Sequence, residues 1–503
     1  MKINLGPVTR LEGHLSVITT VEDNRIIDAR CQGEMFRGFE AILKDRDPLD
    51  AQQITQRICG VCPYAHAIAS CYAQEQAYGL TPPPNGRILQ NLIQGANHLY
   101  DYLLHFYQLA ALDFVDVTAV LEYRGADAEL LKVKSWLRAE LDSGRPSAAA
   151  PFLPRLPGSY IREADTSITL LKHYLEALGV QQKANQASAL FGGRFPHATA
   201  IFPGGCTRAV TVDLIVQYQA LIQETRDFIR DKYLPDLLAV ARAFPEYWKI
   251  GASKAAHLSF GLLPRGPAQD AGRLFGPGFL KDGKVTPVDY TQITEEVRYA
   301  KYSSPSGLPV KDGQLQPAPG KPEAYSWIKA PRYNGQVVEV GPAARVLVEF
   351  YSRGNPAITS LVESLTGKLD VDPASLDSVL GRHLCRAISA TVIADFLMAE
   401  SERLVPGQPT IAELHIPAEA EGYGATEASR GALLHYIRLK NYRIDKYECV
   451  VPTTWNASPR DDQGRPGAME AALIGTKVAD QTAQLEAGRI VRSFDPCLAC
   501  AIH

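Results

Sequence analysis

Four cysteines fall into two C-x-x-C pairs near opposite ends of the chain: Cys59 and Cys62 in RICGVCPYAH, Cys497 and Cys500 in DPCLACAIH. Each pair is followed closely by a histidine, His66 in the first and His503 in the second. Two such pairs can supply four thiolates to one centre. Three chemistries use sulfur in this way: a nickel or iron centre, a structural zinc, and a dithiol–disulfide couple. Structural zinc usually draws on nearby ligands that staple a small unit, and a chain of 503 residues buries a large core without one. Cys62 stands before Pro63 at a helix start, where the helix dipole favours its thiolate. A metal centre is the leading reading; on spacing alone the other two stay open.

The remaining cysteines, Cys31, Cys71, Cys206, Cys385 and Cys449, are isolated and read as small buried hydrophobes. An odd total of nine argues against a disulfide framework. Hydrophobic residues make up 46% and charged residues 21%, with a net charge of -3, an ordinary globular composition. There is no basic excess that would track a nucleic-acid backbone. No apolar run approaches the roughly 18 residues that span a bilayer, and MKINLGPVTRLEGH lacks the apolar region of a Sec-type signal.

These cysteines must be positioned by elements that the sequence outlines. Residues 3–31 alternate apolar and polar, with turn residues near Glu22 to Asn24, which predicts an antiparallel hairpin. From about residue 50 the pattern turns helical; Pro63 can open a helix and Gly79 close it. RILQNLIQGANHLYDYLLHFYQLAALD (87–113) predicts a long helix deep in the core, and further helices are expected over 129–142, 162–190, 211–243 and 375–403. Between 244 and 345 Gly and Pro crowd in (LLPRGPAQ, LFGPGF, LPVKDGQLQPAPGKP), with short β-like pieces such as KVTPVDY. Residues 405–455 favour strands and turns, most clearly HYIRLKNYRIDKYECVVPTTW. No repeat or linker divides the chain. The expectation is one interwoven domain over 1–503, with a strand-containing N-terminal segment at 1–50 and an irregular strand-containing excursion at 244–345. The fold class is α+β: a large, mainly helical core with peripheral short antiparallel strands.

R-x-C-G-x-C-x-x-x-H near the start and D-P-C-x-x-C-x-x-H at the end occur together with RLEGH (10–14), EMFRGFE (34–40), GGRFPH (192–197), KAPRY (329–333), EVGPAAR (339–345), SRGALLHY (429–436) and VVPTTWNASPRDD (450–462). In this order, and over the whole length, the chain resembles the large, catalytic subunit of nickel–iron hydrogenases of the uptake or periplasmic type. The resemblance implies N- and C-terminal segments converging on a buried bimetallic site. Cys59 and Cys497 would bind nickel terminally, and Cys62 and Cys500 would bridge it to an iron carrying carbon monoxide and cyanide. The implied reaction is the reversible heterolytic oxidation of H2 to protons and electrons. Cys497 is the thiolate expected to take the first proton; some relatives hold selenocysteine there.

Further roles come by the same resemblance. Glu12 in RLEGH matches a proton-transfer glutamate, where a lone glutamate would otherwise read as an exposed strand end. Arg430 matches an arginine beside the open coordination position, with Asp495 and Asp101 as its carboxylate partners. Ser429 replaces the family's usual proline, Thr453 matches a hydroxyl contact, and Leu433 an apolar wall. Glu40, His503 and the backbone carbonyl of Cys449 match a magnesium site, the alternative being a simple Glu–His hydrogen bond. His66, Arg57, His105 and His197 have supporting roles, with a core-histidine reading open for the last two.

No cysteines are left for an iron–sulfur cluster, so the resemblance implies a separate iron–sulfur small subunit, whose twin-arginine signal would carry this chain to the periplasm or membrane face. It also implies nickel-delivery proteins and a maturation endopeptidase that cuts after His503, so that this sequence would be a mature form or come from a gene ending there. A hydrogen sensor or a cytoplasmic cofactor-reducing hydrogenase is the alternative within the family. A quinone-site subunit related to respiratory complex I lacks the four cysteines, and a structural zinc protein would hold zinc instead.

Overall fold

The computed structural model describes residues 1–144, 152–153, 155–268 and 271–503; Gln269, in the LLPRGPAQ stretch, lies outside them. The alternation near the N-terminus produces a three-stranded antiparallel sheet in the order β1 (Lys2–Leu5), β2 (Leu15–Glu22) and β3 (Arg25–Gly33). Asp23 and Asn24 both take positive φ, 48° and 57°, the two-residue turn whose twist suits a hairpin. The expected hairpin is therefore β2–β3, with β1 added along one edge.

Helix α1 (Pro63–Tyr78) begins immediately after Cys62 and stops at Gly79, whose φ of 63° is left-handed. Proline suits the first position because its missing N–H would be unpaired there anyway. Every residue of α1 from Pro63 to Glu75 is buried. It lies on a second antiparallel sheet of β4 (Ala420–Ala428), β5 (Gly431–Lys440) and β6 (Arg443–Val450). The approach is so close that a Cβ on Gly424 would stand 1.9 Å from the carbonyl oxygen of Ala69. Only glycine fits there, and the contact fixes the helix that carries Cys62 at its start. This sheet is internal: β5 is buried from Gly431 to Ile437.

Helix α2 (Pro84–Leu104) is buried over almost its whole surface. Its amides find internal partners, as buried polar groups must: Gln94 donates to the Glu427 carbonyl at 3.0 Å and Asn97 to that of Val61 at 3.1 Å. The periodic run of 87–113 is not one regular helix. It widens into a π turn over His105–Ala110 and tightens over Ala111–Asp113. Helices α3 (Ala128–Ser143), α4 (Ala164–Gly192), α5 (Val212–Phe228), α6 (Leu234–Ala243), α7 (Pro342–Ser352) and α8 (Val379–Glu402) follow, and α2, α4, α5 and α8 pack on one another as the helical core. All four helices expected after residue 113 are present; the one over 211–243 is α5 and α6 joined by a second π turn, Ile229–Tyr233.

The 244–345 stretch forms short strands. One sheet runs Lys284–Thr286, Gly278–Lys281, Ala256–Ser259 and Val338–Glu339, its last pair parallel. Buried ion pairs tie the stretch to the core. Glu339 takes two bonds of 2.8 Å from Arg382 on α8, Arg345 on α7 binds Glu427, and Arg332 meets Asp461 at 3.2 Å. The chain then forms α9 (Pro452–Asn456), α10 (Leu485–Ser493) and the four-residue α11 (Leu498–Ala501).

Candidate metal centre

Both C-x-x-C pairs are helix starts: Cys62 precedes α1 and Cys497 precedes α11. The four sulfurs lie within 4.8 Å of one another. Cys59 and Cys497 are 3.5 Å apart, Cys62 and Cys500 3.5 Å, and Cys497 and Cys500 2.9 Å. None forms a disulfide and all are buried. The sulfhydryls of Cys497, Cys500 and Cys62 hold the Cys59 thiol well below the ordinary range, while burial and the neighbouring Cys497 push Cys500 well above it. Four buried thiols cannot all ionise against one another; a cation among them is what lets them do so.

The RLEGH segment, in the connection between β1 and β2, brings the two ends together. Glu12 and Cys497 form a parallel bridge, and the Leu498 N–H donates to the Glu12 carbonyl at 2.7 Å. Gly13 takes φ 83°, and a Cβ there would meet the Ala499 nitrogen at 2.8 Å. The Glu12 carboxyl is half-buried and raised above its usual value, first by burial and then by the Cys59 thiolate. Arg37, in EMFRGFE, bonds the carbonyls of Ile58, of Arg57 at 2.9 Å and of Ala499 at 3.0 Å, clasping both cysteine loops. Nothing in its local sequence marks Arg37 for this task, because its partners are carbonyls far along the chain.

Arg430 lies at the turn between β4 and β5, buried between two carboxylates. Its guanidinium is 3.3 Å from Asp101 on α2 and 3.1 Å from Asp495. Ser429 donates a short hydrogen bond to the same Asp101 oxygen. Burial pushes Asp101 up to about 7, against the pull of Arg430. A second guanidinium, Arg386 on α8, is also fully buried here and feels Asp495. Its side chain donates only to the Ser493 carbonyl, at 3.3 Å, leaving Nε and one terminal nitrogen without a partner. The sequence reading missed it; an arginine inside a helical run looks like a surface residue until its burial is seen.

The Thr453 hydroxyl accepts the Cys497 N–H at 2.9 Å, so it positions the terminal loop. Leu433 is fully buried on β5. His66 Nε2 is 3.5 Å from the Cys500 sulfur, and burial lowers the ring to about 4, so it is neutral near pH 7. His105 donates to the Arg492 carbonyl at 2.6 Å and stacks on His383. His197 bonds the Cys59 backbone, and the Arg57 side chain is exposed.

Residues 37–503 match the family described as nickel-dependent hydrogenase. Over its whole length the chain is 39% identical to the periplasmic NiFeSe hydrogenase large subunit of Desulfomicrobium baculatum, spanning 95% of that protein. The chain belongs to the nickel-dependent hydrogenase family. It is also 36% identical to the hydrogenase-1 large chain of Escherichia coli K12, spanning all of this chain and 95% of that one. The reduced Ni-Fe-Se hydrogenase of D. vulgaris Hildenborough has the same fold, with a TM-score of 0.89 at 39% identity and full coverage of both chains. The helical core, the short antiparallel sheets and the converging termini are thus the architecture of a hydrogenase large subunit.

A second polar cluster in this hydrogenase lies beneath the terminal loop. His503 Nδ1 donates to the Cys500 carbonyl at 2.6 Å, and its Nε2 faces Glu40 Oε1 at 3.4 Å. The Cys449 N–H, not its carbonyl, meets Glu40, at 3.1 Å. Lys329 sits among Glu295 at 2.8 Å, Glu448 at 3.5 Å and Glu40 at 3.6 Å. Burial opposes the ionisation of Glu40, but Lys329 and His503 hold its carboxyl well below the usual range. Glu40 Oε2 has no hydrogen-bond partner, only the Lys329 ammonium at 3.6 Å. Glu40 and His503 were expected here; Lys329, Glu295 and Glu448 were not.

Proposed function

We propose that this hydrogenase large subunit holds a nickel–iron centre on Cys59, Cys62, Cys497 and Cys500 and catalyses the reversible heterolytic oxidation of H2. The observation that carries the reading is the convergence of four buried thiols from both ends of the chain, in a member of this family. Cys59 and Cys497 would hold nickel, and Cys62 and Cys500 would be shared between it and an iron carrying carbon monoxide and cyanide. When bound, the bimetallic group supplies the splitting of H2 into protons and electrons, while the protein supplies orientation and electrostatics.

The chain's own residues do the rest. The Cys497 sulfur takes a proton and Glu12, tied to the same loop, carries it outward; its raised affinity for protons suits a relay. Arg430, pinned by Asp101 and Asp495, presents a fixed planar charge that lysine would not reproduce. Thr453, Ser429, Leu433 and His66 shape the pocket around the metals. Among the described residues the other cysteines, Cys31, Cys71, Cys206, Cys385 and Cys449, form no second group that could hold an iron–sulfur cluster. Electrons therefore pass to a separate iron–sulfur small subunit, which would dock over Glu12, Arg57 and the Cys59–Cys62 loop. The periplasmic location named for the Desulfomicrobium relative supports the same compartment for this chain. Among the described residues no helix is long and apolar enough to cross a membrane.

The cluster around Glu40 suits magnesium. Three carboxylates face a single lysine, and Oε2 of Glu40 has no hydrogen-bond donor; a divalent cation there would take up the carboxylate charge that Lys329 alone does not balance. The Cys449 carbonyl and waters would complete the set. Elemental analysis together with an infrared spectrum of the purified heterodimer tests the whole reading. Nickel, iron and magnesium with carbon monoxide and cyanide bands support it, and zinc without nickel overturns it.

A further inference from the structure

A line of buried side chains leads from the cluster into the core. The Cys500 sulfur is 3.5 Å from His66 Nε2, His66 Nδ1 is 3.1 Å from His435 Nε2, and His435 Nδ1 is 2.8 Å from the Tyr447 hydroxyl. Beyond it, Ser70 bonds the Tyr447 oxygen, and Gln74 donates to Ser70 at 3.3 Å. His66, His435 and Tyr447 are each no more than 2% exposed, so bulk water does not compete for these bonds.

The direction of every bond in this line is fixed by its end. A metal-bound cysteine is a thiolate and can only accept. His66 must then donate through Nε2, so its Nδ1 is an acceptor. His435 must in turn donate through Nε2, which leaves its Nδ1 to accept from the Tyr447 hydroxyl. A ring turned to the opposite tautomer at either histidine would place two donors or two acceptors face to face, a buried mismatch that costs about 1–3 kcal/mol.

Resting on the nickel–iron reading above, we propose that His435 and Tyr447 are positioning residues that lock His66 in the tautomer donating to the Cys500 thiolate. A ligand's outer hydrogen-bond partners commonly tune a metal site. A hydrogen bond on a bridging sulfur draws electron density from it, and so from both metals it would ligate. His435 touches no ligand itself and acts only through His66.

The test uses the complete heterodimer and reads the diatomic-ligand infrared bands and the nickel midpoint potential. His435→Leu should shift both toward lower values, in the same sense as His66→Leu. His435→Gln should restore them, because an amide donates on one side and accepts on the other. Tyr447→Phe, which removes a single hydroxyl, should give a smaller shift of the same sign. If His435→Leu fails to load metal, Tyr447→Phe decides the matter. Unchanged bands and potential in a loaded variant, or failure of the glutamine to rescue a shift, overturn the inference. A wild-type protein with no such bands would instead defeat the nickel–iron reading, a separate outcome.

Discussion

The sulfurs of Cys59 and Cys497 lie 3.5 Å apart although 438 residues separate them. Neither pair can hold the centre without the other. Cys62→Ser or Cys500→Ser should therefore yield protein without nickel, and Cys497→Ser should abolish turnover. Metal analysis of the purified variants checks this; stoichiometric nickel in a variant lacking Cys62 or Cys500 would remove that residue from the ligand set.

Glu12 is tied through its backbone to the Cys497 loop, and its carboxyl is raised by burial. Glu12→Gln keeps the shape but cannot titrate. It should retain the metals while H2/D2O exchange falls about 10²–10⁴-fold, the usual worth of a positioned proton carrier. Near-normal exchange would place the relay elsewhere.

Arg430 is buried between Asp101 and Asp495. Arg430→Lys should load metal and lose most H2 oxidation. Asp101→Asn, which leaves Arg430 its second partner Asp495, should lower stability by about 1.5–3 kcal/mol, the worth of a hydrogen bond to a charged group. Ser429→Pro, which restores the residue usual in the family, should be tolerated with at most a small shift of the cyanide bands. Kinetics and denaturant titration of the three variants report these effects, and wild-type kinetics in Arg430→Lys would take Arg430 out of the site.

Arg37 bonds carbonyls of both cysteine loops. Truncation in Arg37→Ala should destabilise the metal-free protein on the order of 3 kcal/mol and lower nickel occupancy. Thermal unfolding and metal content measured on one preparation check both, and an unchanged melting temperature would show that the clasp is dispensable.

Glu470 is buried, accepting from the Cys31 N–H and from the Tyr325 hydroxyl, each at 2.9 Å. Burial pushes its carboxyl up to about 7 from 4.5. The folded state thus binds this proton more tightly than the unfolded chain does. Stability from this group is greatest below pH 4.5 and declines as pH rises toward 7, by at most about 3 kcal/mol. Glu470→Gln should flatten that part of the stability–pH curve. An unaltered slope would mean that Glu470 does not titrate there.

Local patterns in the sequence were legible where the physics is local. Cys62-Pro63 and Gly79 bound α1 because a proline start and a left-handed glycine stop are properties of single positions. The same holds for the turn at Asp23 and Asn24. The run over 87–113 was recognisable as helix, but its widening after Leu104 was not, since apolar spacing does not report a π turn. The four cysteines stood out by spacing. Lys329, Arg386 and Tyr447 did not, although each is buried close to one of the two polar clusters, because a single residue acquires its meaning from partners far away in sequence. Several shared motifs are also architectural: EVGPAAR supplies Glu339 and Arg345, each locked in a buried ion pair with a distant chain segment.

The distance along the chain between the two cysteine pairs is also a delay. Synthesis proceeds at about 5–20 residues per second, so the 438 residues between Cys59 and Cys497 correspond to roughly 20–90 s. Throughout that interval Cys59 and Cys62 are a two-thiol chelator without its other half. A soft ion that met them then, copper or zinc, would find a bidentate site and could hold it before nickel had a complete one. The architecture that hides the centre in the finished protein therefore leaves half of it vulnerable during manufacture, and correct loading becomes a contest of timing as much as of affinity.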